Sequence, residues 1–195
     1  MKHFYFIFLL LTIMMTAKAQ TFYGSQPFAH TYSIVAYDEK TGEMGVAVQS
    51  HWFSVGTLVT WGEAGVGVVA TQSFVNPDFG PQGLALMKLG MSPKQALESM
   101  LAVVVGRAAR QVALLNTKGE VAAHTGENCI AAAGHIEGKH YSVQANMMLN
   151  EEVWGAMSKA FESTEAPLAE RMMAALEAAE SVGGDIRGKQ SAAIL

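Results

Sequence analysis

Hydroxyl and amide side chains gather at the ends of apolar segments in this sequence. Gln49-Ser50-His51 closes one such segment and Thr71-Gln72-Ser73 closes another, while Gln144 and Asn146 lie near the end of a third. Side chains clustered at such ends can form a polar cleft over an apolar core. The alternative is that they are turn residues bonded to their own backbone. Asp185, Arg187, Gln190 and Ser191 precede a last apolar stretch and either converge on the same cleft or line loops.

Several chemistries lack their residues. Beyond the leading segment, the histidines stand at 30, 51, 124, 135 and 140, with no His-Glu-x-x-His and no spacing that puts two imidazoles on one helix face. No metal or other cofactor is expected. There is no Gly-x-Ser-x-Gly elbow, and Gly65-Val66-Gly67 leads into a strand instead of opening a helix, so a phosphate loop is not indicated. The one cysteine, Cys129, cannot form an internal disulfide; beside Ile130 and an alanine run it is either a small core residue or a thiol nucleophile. With 13 Lys and Arg against 17 Asp and Glu, and a pI near 5.8, the chain has no basic stripe for phosphates, so nucleic acid is not expected as a partner.

The elements that must position the polar residues follow from periodicity. At 195 residues, half of them hydrophobic and 15% charged, the chain fits one domain with a sizeable core. Tyr32, Ile34 and Ala36 alternate with Ser33, Val35 and Tyr37, a turn follows at Asp38 to Gly42, and Met44, Val46 and Val48 begin the return strand. Val55–Trp61 and Val66–Thr71 read as two further strands. Helices are expected at Gly83–Leu89 and from Ser92, where Pro93 and Gln95 complete a capping box. Strands resume at Gln111–Leu115, Val121–His124, Ile130–Ala133 and Tyr141–Met147. Asn150 then caps a helix with Glu151 and Glu152 in its first turn, and a last helix runs from Pro167 to Val182 before Gly183-Gly184. Gln190–Leu195 opens a final strand. The order implies helix layers on antiparallel sheet, an α+β fold, without giving the number of layers.

The amino terminus reads as an address. Lys2 precedes an apolar run from Phe4 to Met15, too short to span a bilayer, and Ala17-Lys18-Ala19 offers the small residues of a cleavage site. Residues 1–19 are therefore expected to be a signal peptide, cleaved after Ala19, or else an uncleaved amphipathic anchor. Cleavage leaves an extracytoplasmic, periplasmic or secreted, protein without stable membrane insertion, in which 20–30 form a short leader or propeptide.

Five ordered stretches carry a resemblance: Thr31 to Gly56, Glu63 to Leu84, Ala122 to Cys129, Tyr141 to Leu149 and Gly183 to Leu195. Together they resemble the bacterial family known as domain of unknown function 1028 (DUF1028), over essentially all of 31–195. The resemblance implies a four-layer α/β/β/α sandwich of antiparallel sheets flanked by helix pairs, similar to the N-terminal nucleophile (Ntn) hydrolases. Two departures stand out. The run Val103 to Arg107 has no Asp where relatives tend to carry one, and members usually extend past the last motif. A chain 31–195 without its last strands, C-terminally incomplete, is one reading of the second.

The same resemblance implies a chemistry. In Ntn hydrolases a Thr, Ser or Cys at the start of the first strand attacks an amide, with its own α-amine as general base. That amine titrates at about 7.7 to 8.0 and is partly neutral near pH 7. Thr31 occupies the matching position, although it is equally a β-branched residue suited to opening a strand. Cleavage after Ala19 would leave its amine blocked, so a second cut before Thr31 is required. Ser33, Gln49, Ser50, Thr71, Gln72 and Asn146 are the residues expected to line the cleft, with oxyanion donors near Ser50, Gln72 and Asn146. The expected function is a secreted amidohydrolase acting on a small peptide or cell-wall amide. The alternative is a non-catalytic binding or structural protein on the same fold; either can be an oligomer.

Overall fold

The computed structural model describes residues 28, 29 and 31–195. The expected signal peptide (1–19), its cleavage site and most of the 20–30 leader lie outside the described residues. Description begins with a two-residue strand, β1 (Phe28–Ala29), and one residue later β2 (Thr31–Tyr37) starts in a different sheet.

The alternation in β2 sorts its side chains between two buried faces. β2 pairs antiparallel with β3 (Met44–Ser50) from Thr31↔Ser50 to Tyr37↔Met44. The turn between them forms because Asp38 Oδ1 accepts from the amides of Lys40 at 2.8 Å and Thr41 at 3.3 Å, while Gly42 supplies φ +76°. Those amides, the Lys40 one foremost, also hold the Asp38 carboxyl below the usual range. The sheet is completed by β8 (Gly134–Gly138), β9 (Tyr141–Ala145) and β10 (Ser191–Ile194), in the order β10-β3-β2-β9-β8, all antiparallel.

The second sheet joins β4 (Thr60–Glu63), β5 (Gly67–Phe74), β6 (Arg110–Asn116) and β7 (Val121–Thr125). It runs β1-β5-β6-β7, with β4 also paired to β5. The β6–β7 turn uses the same device as the first hairpin: Asn116 Oδ1 accepts from the amides of Lys118 and Glu120, and Gly119 takes φ +70°.

Three clusters of buried side chains hold these parts together. Val35, Val46 and Val48 of one sheet meet Val68, Ala70, Ala113 and Leu115 of the other. Tyr32, Ile34, Tyr141 and Val143, on the opposite face of the first sheet, pack under α4 (Val153–Ser163) and α5 (Leu168–Ser181) through Met157, Phe161, Met172 and Leu176. Val69, Val112 and Leu114 pack under α2 (Phe79–Lys88) and α3 (Pro93–Val103) through Phe79, Leu84 and Met100. The capping box of α3 forms as expected, Ser92 Oγ accepting from the Gln95 amide and Gln95 Oε1 from the Ser92 amide at 2.9 Å. Among the described residues there are two antiparallel sheets and five helices, a mixed α+β architecture, and no helix is long and apolar enough to cross a membrane.

Besides β5 running on to Phe74 and β9 stopping at Ala145, four stretches differ from the sequence expectations. Val55–Trp61 is not one strand: Gly56–Val59 form a single helical turn, α1, before β4. Close packing overrides β propensity there, since a Cβ at Gly56 would come 2.6 Å from Ala193 Cβ, and Ser191 Oγ accepts from the Val55 amide. Ile130–Ala133 is a loop, although Ile130 and Ala132 carbonyls still accept from Met147 and Met148. The strand is β8, whose glycine ends and two-residue turn at Lys139-His140 give it no sequence signal. Helix α2 starts at Phe79, not Gly83, because Pro81 in a first turn has no amide to lose. Asn150 does accept from the Glu152 amide at 2.8 Å, but α4 begins at Val153, leaving Glu151 and Glu152 in the preceding turn.

Two glycines test this packing in opposite directions. At Gly67 a Cβ would lie 2.3 Å from the Leu115 carbonyl oxygen, so Gly67→Ala should lower unfolding free energy by about 1–3 kcal/mol. At Gly155, exposed within α4 with open space beside it, Ala should raise stability by about 0.5–1 kcal/mol. Urea denaturation midpoints check both.

Candidate functional site

Period-two alternation places a row of polar side chains between the sheets at the end where β2 begins. On β2 these are Thr31 and Ser33, on β9 Ser142 and Gln144, followed by Asn146; from the facing sheet come Gln72 of β5 and Gln111 of β6. Thr31, Ser33, Gln72, Gln111, Gln144 and Asn146 are all 0% exposed. Among the described residues the hydrogen bonds that follow run between neutral donors and acceptors.

The amides are satisfied by each other. Gln111 Oε1 accepts from Gln72 Nε2 at 2.7 Å and Asn146 Nδ2 at 2.9 Å. Its Nε2 donates to the Ala145 carbonyl, the Gly134 carbonyl and Thr125 Oγ at 2.8–3.1 Å. Ser33 donates to Gln72 Oε1 and accepts from Gln144 Nε2, each at 2.6 Å, and Ser142 donates to Gln144 Oε1 at 2.9 Å. Each amide is thereby fixed in one orientation.

Thr31 sits at the rim of this network. Its carbonyl accepts from Gln72 Nε2 at 3.1 Å, Asn146 Nδ2 at 3.3 Å and the Asn146 amide at 3.0 Å. Its own backbone N–H donates to the Asn146 carbonyl at 3.3 Å, and its hydroxyl to Ser50 Oγ at 3.2 Å. Five of the seven residues singled out from sequence, Thr31, Ser33, Ser50, Gln72 and Asn146, are therefore gathered in one place. Gln49 and Thr71 are not. They occupy the opposite faces of their strands, Gln49 toward α5, and Thr71, whose hydroxyl donates to the Asn76 carbonyl at 3.2 Å, toward the α2–α3 side.

The residues around 185–191 hold the chain as it leaves Ser50. Asp185, 3% exposed, takes a two-point contact from Arg187 and accepts from the His51 amide at 3.3 Å. The Gln190 amide donates to the Ser50 carbonyl, and Ser191 donates to the Trp52 carbonyl. Cys129 behaves as a core residue. Burial pushes its thiol up, and Sγ donates to the Arg110 carbonyl at 3.3 Å, so it stays protonated. No group of three His, Cys, Asp or Glu able to hold a metal occurs among the described residues.

A family model described as a family of unknown function, DUF1028, matches residues 31–195. The chain belongs to DUF1028. The crystal structure of a DUF1028 protein from Silicibacter pomeroyi is similar to it at 32% identity, with a TM-score of 0.80, covering 85% of this chain and 72% of that one. This relative shares the fold. Among curated proteins no relative matches.

In this DUF1028 chain, sequence reasoning missed Gln111, Ser142, Thr125 and His135. Thr125 Oγ accepts from Gln111 Nε2 and lies 2.8 Å from His135 Nδ1. Burial pushes the His135 pKa down, with Glu137 opposing the effect and His124 adding to it. A signal for part of the group was available: Ser142, Gln144 and Asn146 are the polar half of one alternating strand.

Two outcomes test the network. Gln111→Leu leaves Gln72 and Asn146 without their acceptor and should cost at least about 2 kcal/mol in denaturant unfolding. An unfolded chain protonates His135 near its ordinary value of about 6.5, the folded one only lower. Stability contributed above that value is therefore lost as pH falls through this window, and His135→Asn should flatten the acid slope of the urea midpoint.

Proposed function

We propose that this chain is an exported amide hydrolase of the N-terminal nucleophile type, built as a four-layer α/β/β/α sandwich, with Thr31 as nucleophile. The observation that supports it most is the situation of Thr31. It is the first residue of a central strand, with its hydroxyl turned toward Ser50 and its carbonyl held by two side-chain amides. The helix pairs on the outer faces of both sheets agree with the layered reading.

In this reading a cut before Thr31 frees its α-amine beside its own hydroxyl. The amine accepts the hydroxyl proton as the oxygen attacks the substrate carbonyl, and returns a proton to the departing amine. The resulting ester is released by water. Donors near Ser50, Gln72 and Asn146 would stabilise the developing oxyanion, one well-placed donor being worth about 3–4 kcal/mol. A peptide or other small amide fits this chemistry.

The mature protein isolated from its native compartment should have the mass of a chain starting at Thr31. Thr31→Ala should lose hydrolysis of peptide amides by about a thousandfold or more, while Cys129→Ala retains it. A mature chain that keeps the residues before Thr31 and still hydrolyses amides would refute the mechanism. One that keeps them and is inert favours the binding-protein alternative.

A further inference from the structure

On the face of β3 opposite Ser50, an open groove of about 410 Å³ lies between α5 and the β10–β3–β2 corner, within the usual size of small-molecule sites. Met173 and Leu176 of α5 and Ala192 and Ile194 of β10 make its walls mainly apolar, and the directly paired Tyr32 and Gln49 form its floor. The polar groups there are unequally provided for. The Tyr32 hydroxyl donates to Glu180 Oε2 at 3.0 Å, and Lys189 Nζ lies 3.4 Å from Glu180 Oε1, so these three satisfy one another at the rim. Gln49 has nothing. It is 6% exposed, and neither Nε2 nor Oε1 has a hydrogen-bond partner.

A buried carboxamide with no partner is costly, and native interiors rarely keep one without a reason. The remedy must match its shape. Gln49 offers a donor and an acceptor side by side on one edge. A carboxylate has no donor to return and an ammonium no acceptor, whereas a cis amide, as in a lactam or cyclic imide, presents N–H and C=O in the complementary order. Glu177 and Glu180 against the single Lys189 also disfavour an anion.

We propose that this groove binds a small neutral molecule that presents a cyclic amide edge to Gln49 and a hydrocarbon ring to the walls formed by Leu176 and Ile194. The Gln49 amide is shielded from solvent in the empty chain; with no hydrogen bond to break, it turns to meet the ligand. The site is separate from the Thr31 cluster, on the other face of the same sheet, and does not depend on the amidase reading.

The probe is ε-caprolactam, compared with N-methylcaprolactam, which keeps the ring and loses the N–H, each titrated into the full chain and followed by 15N–1H NMR. The expected result is a saturable shift of the Gln49 side-chain amide signals, with affinity about tenfold weaker for the methylated ring. Gln49→Leu should abolish the difference between the two lactams and raise the unfolding temperature of the empty protein. Ala192→Phe, which fills the groove across from Gln49, should lose binding of both. No saturable shift at Gln49, or equal affinity of the wild-type chain for the two rings, overturns the proposal.

Discussion

The Gln111 side chain, lodged between two sheets, sets the terms for everything at this end of the molecule. Its amide touches β5 through Gln72, β7 through Thr125, β8 through the Gly134 carbonyl and the segment after β9 through Asn146. Elsewhere the sheets meet through valine, alanine and leucine, contacts that tolerate small shifts. Hydrogen-bonded amides tolerate fewer, because each is worth having only with its partner at a set distance and angle. A slip of one residue in any contributing strand would turn its polar row to the wrong face and strand several donors. The network thus acts as a register mark for both sheets.

That arrangement explains what could be read from the sequence and what could not. The first hairpin and the α3 cap were legible because Asp38, Gly42, Ser92 and Gln95 act on their own neighbours. The grouping of Thr31, Ser50 and Gln72 was expected from the family resemblance together with the polar residues that close two apolar segments at Ser50 and Gln72. The rest depends on contacts distant in the chain. A strand that alternates Ser142, Gln144 and Asn146 with Tyr141, Val143 and Ala145 looks like one with a wet face. Here the second sheet covers that face, and nothing local announces it. Gln49 and Thr71 show the same limit from the other side: being polar at a strand end does not say which way a side chain points, and parity sends them away from Ser50 and Gln72. The strand β8 escaped notice because Gly134 is there to fit under the Trp154 ring, a tertiary requirement.

The two faces of the β2–β3 pair carry different chemistries at adjacent residues. Thr31 and Ser50 look toward the second sheet, while Tyr32 and Gln49, their immediate neighbours, look toward α5. Whatever displaces one pair displaces the other through a few bonds of backbone. The inward face is saturated with hydrogen bonds and the outward one leaves an amide unpaired, so the outward face has the freedom to change.

The passage from β1 to β2 carries a consequence for any event that cuts the chain there. Among the described residues β1 pairs with β5 at Phe28↔Phe74 and Ala29↔Ser73, and the next strand belongs to the opposite sheet. While the chain is intact this pairing is intramolecular, at the local concentration of an attached segment. A cut there makes it a separate peptide, and were that peptide to leave, the β5 edge at Ser73 would lose its pairing with Ala29. A single hydrolysed bond would thereby open the molecule as well as create a new terminus, and reannealing would be a bimolecular, concentration-dependent event.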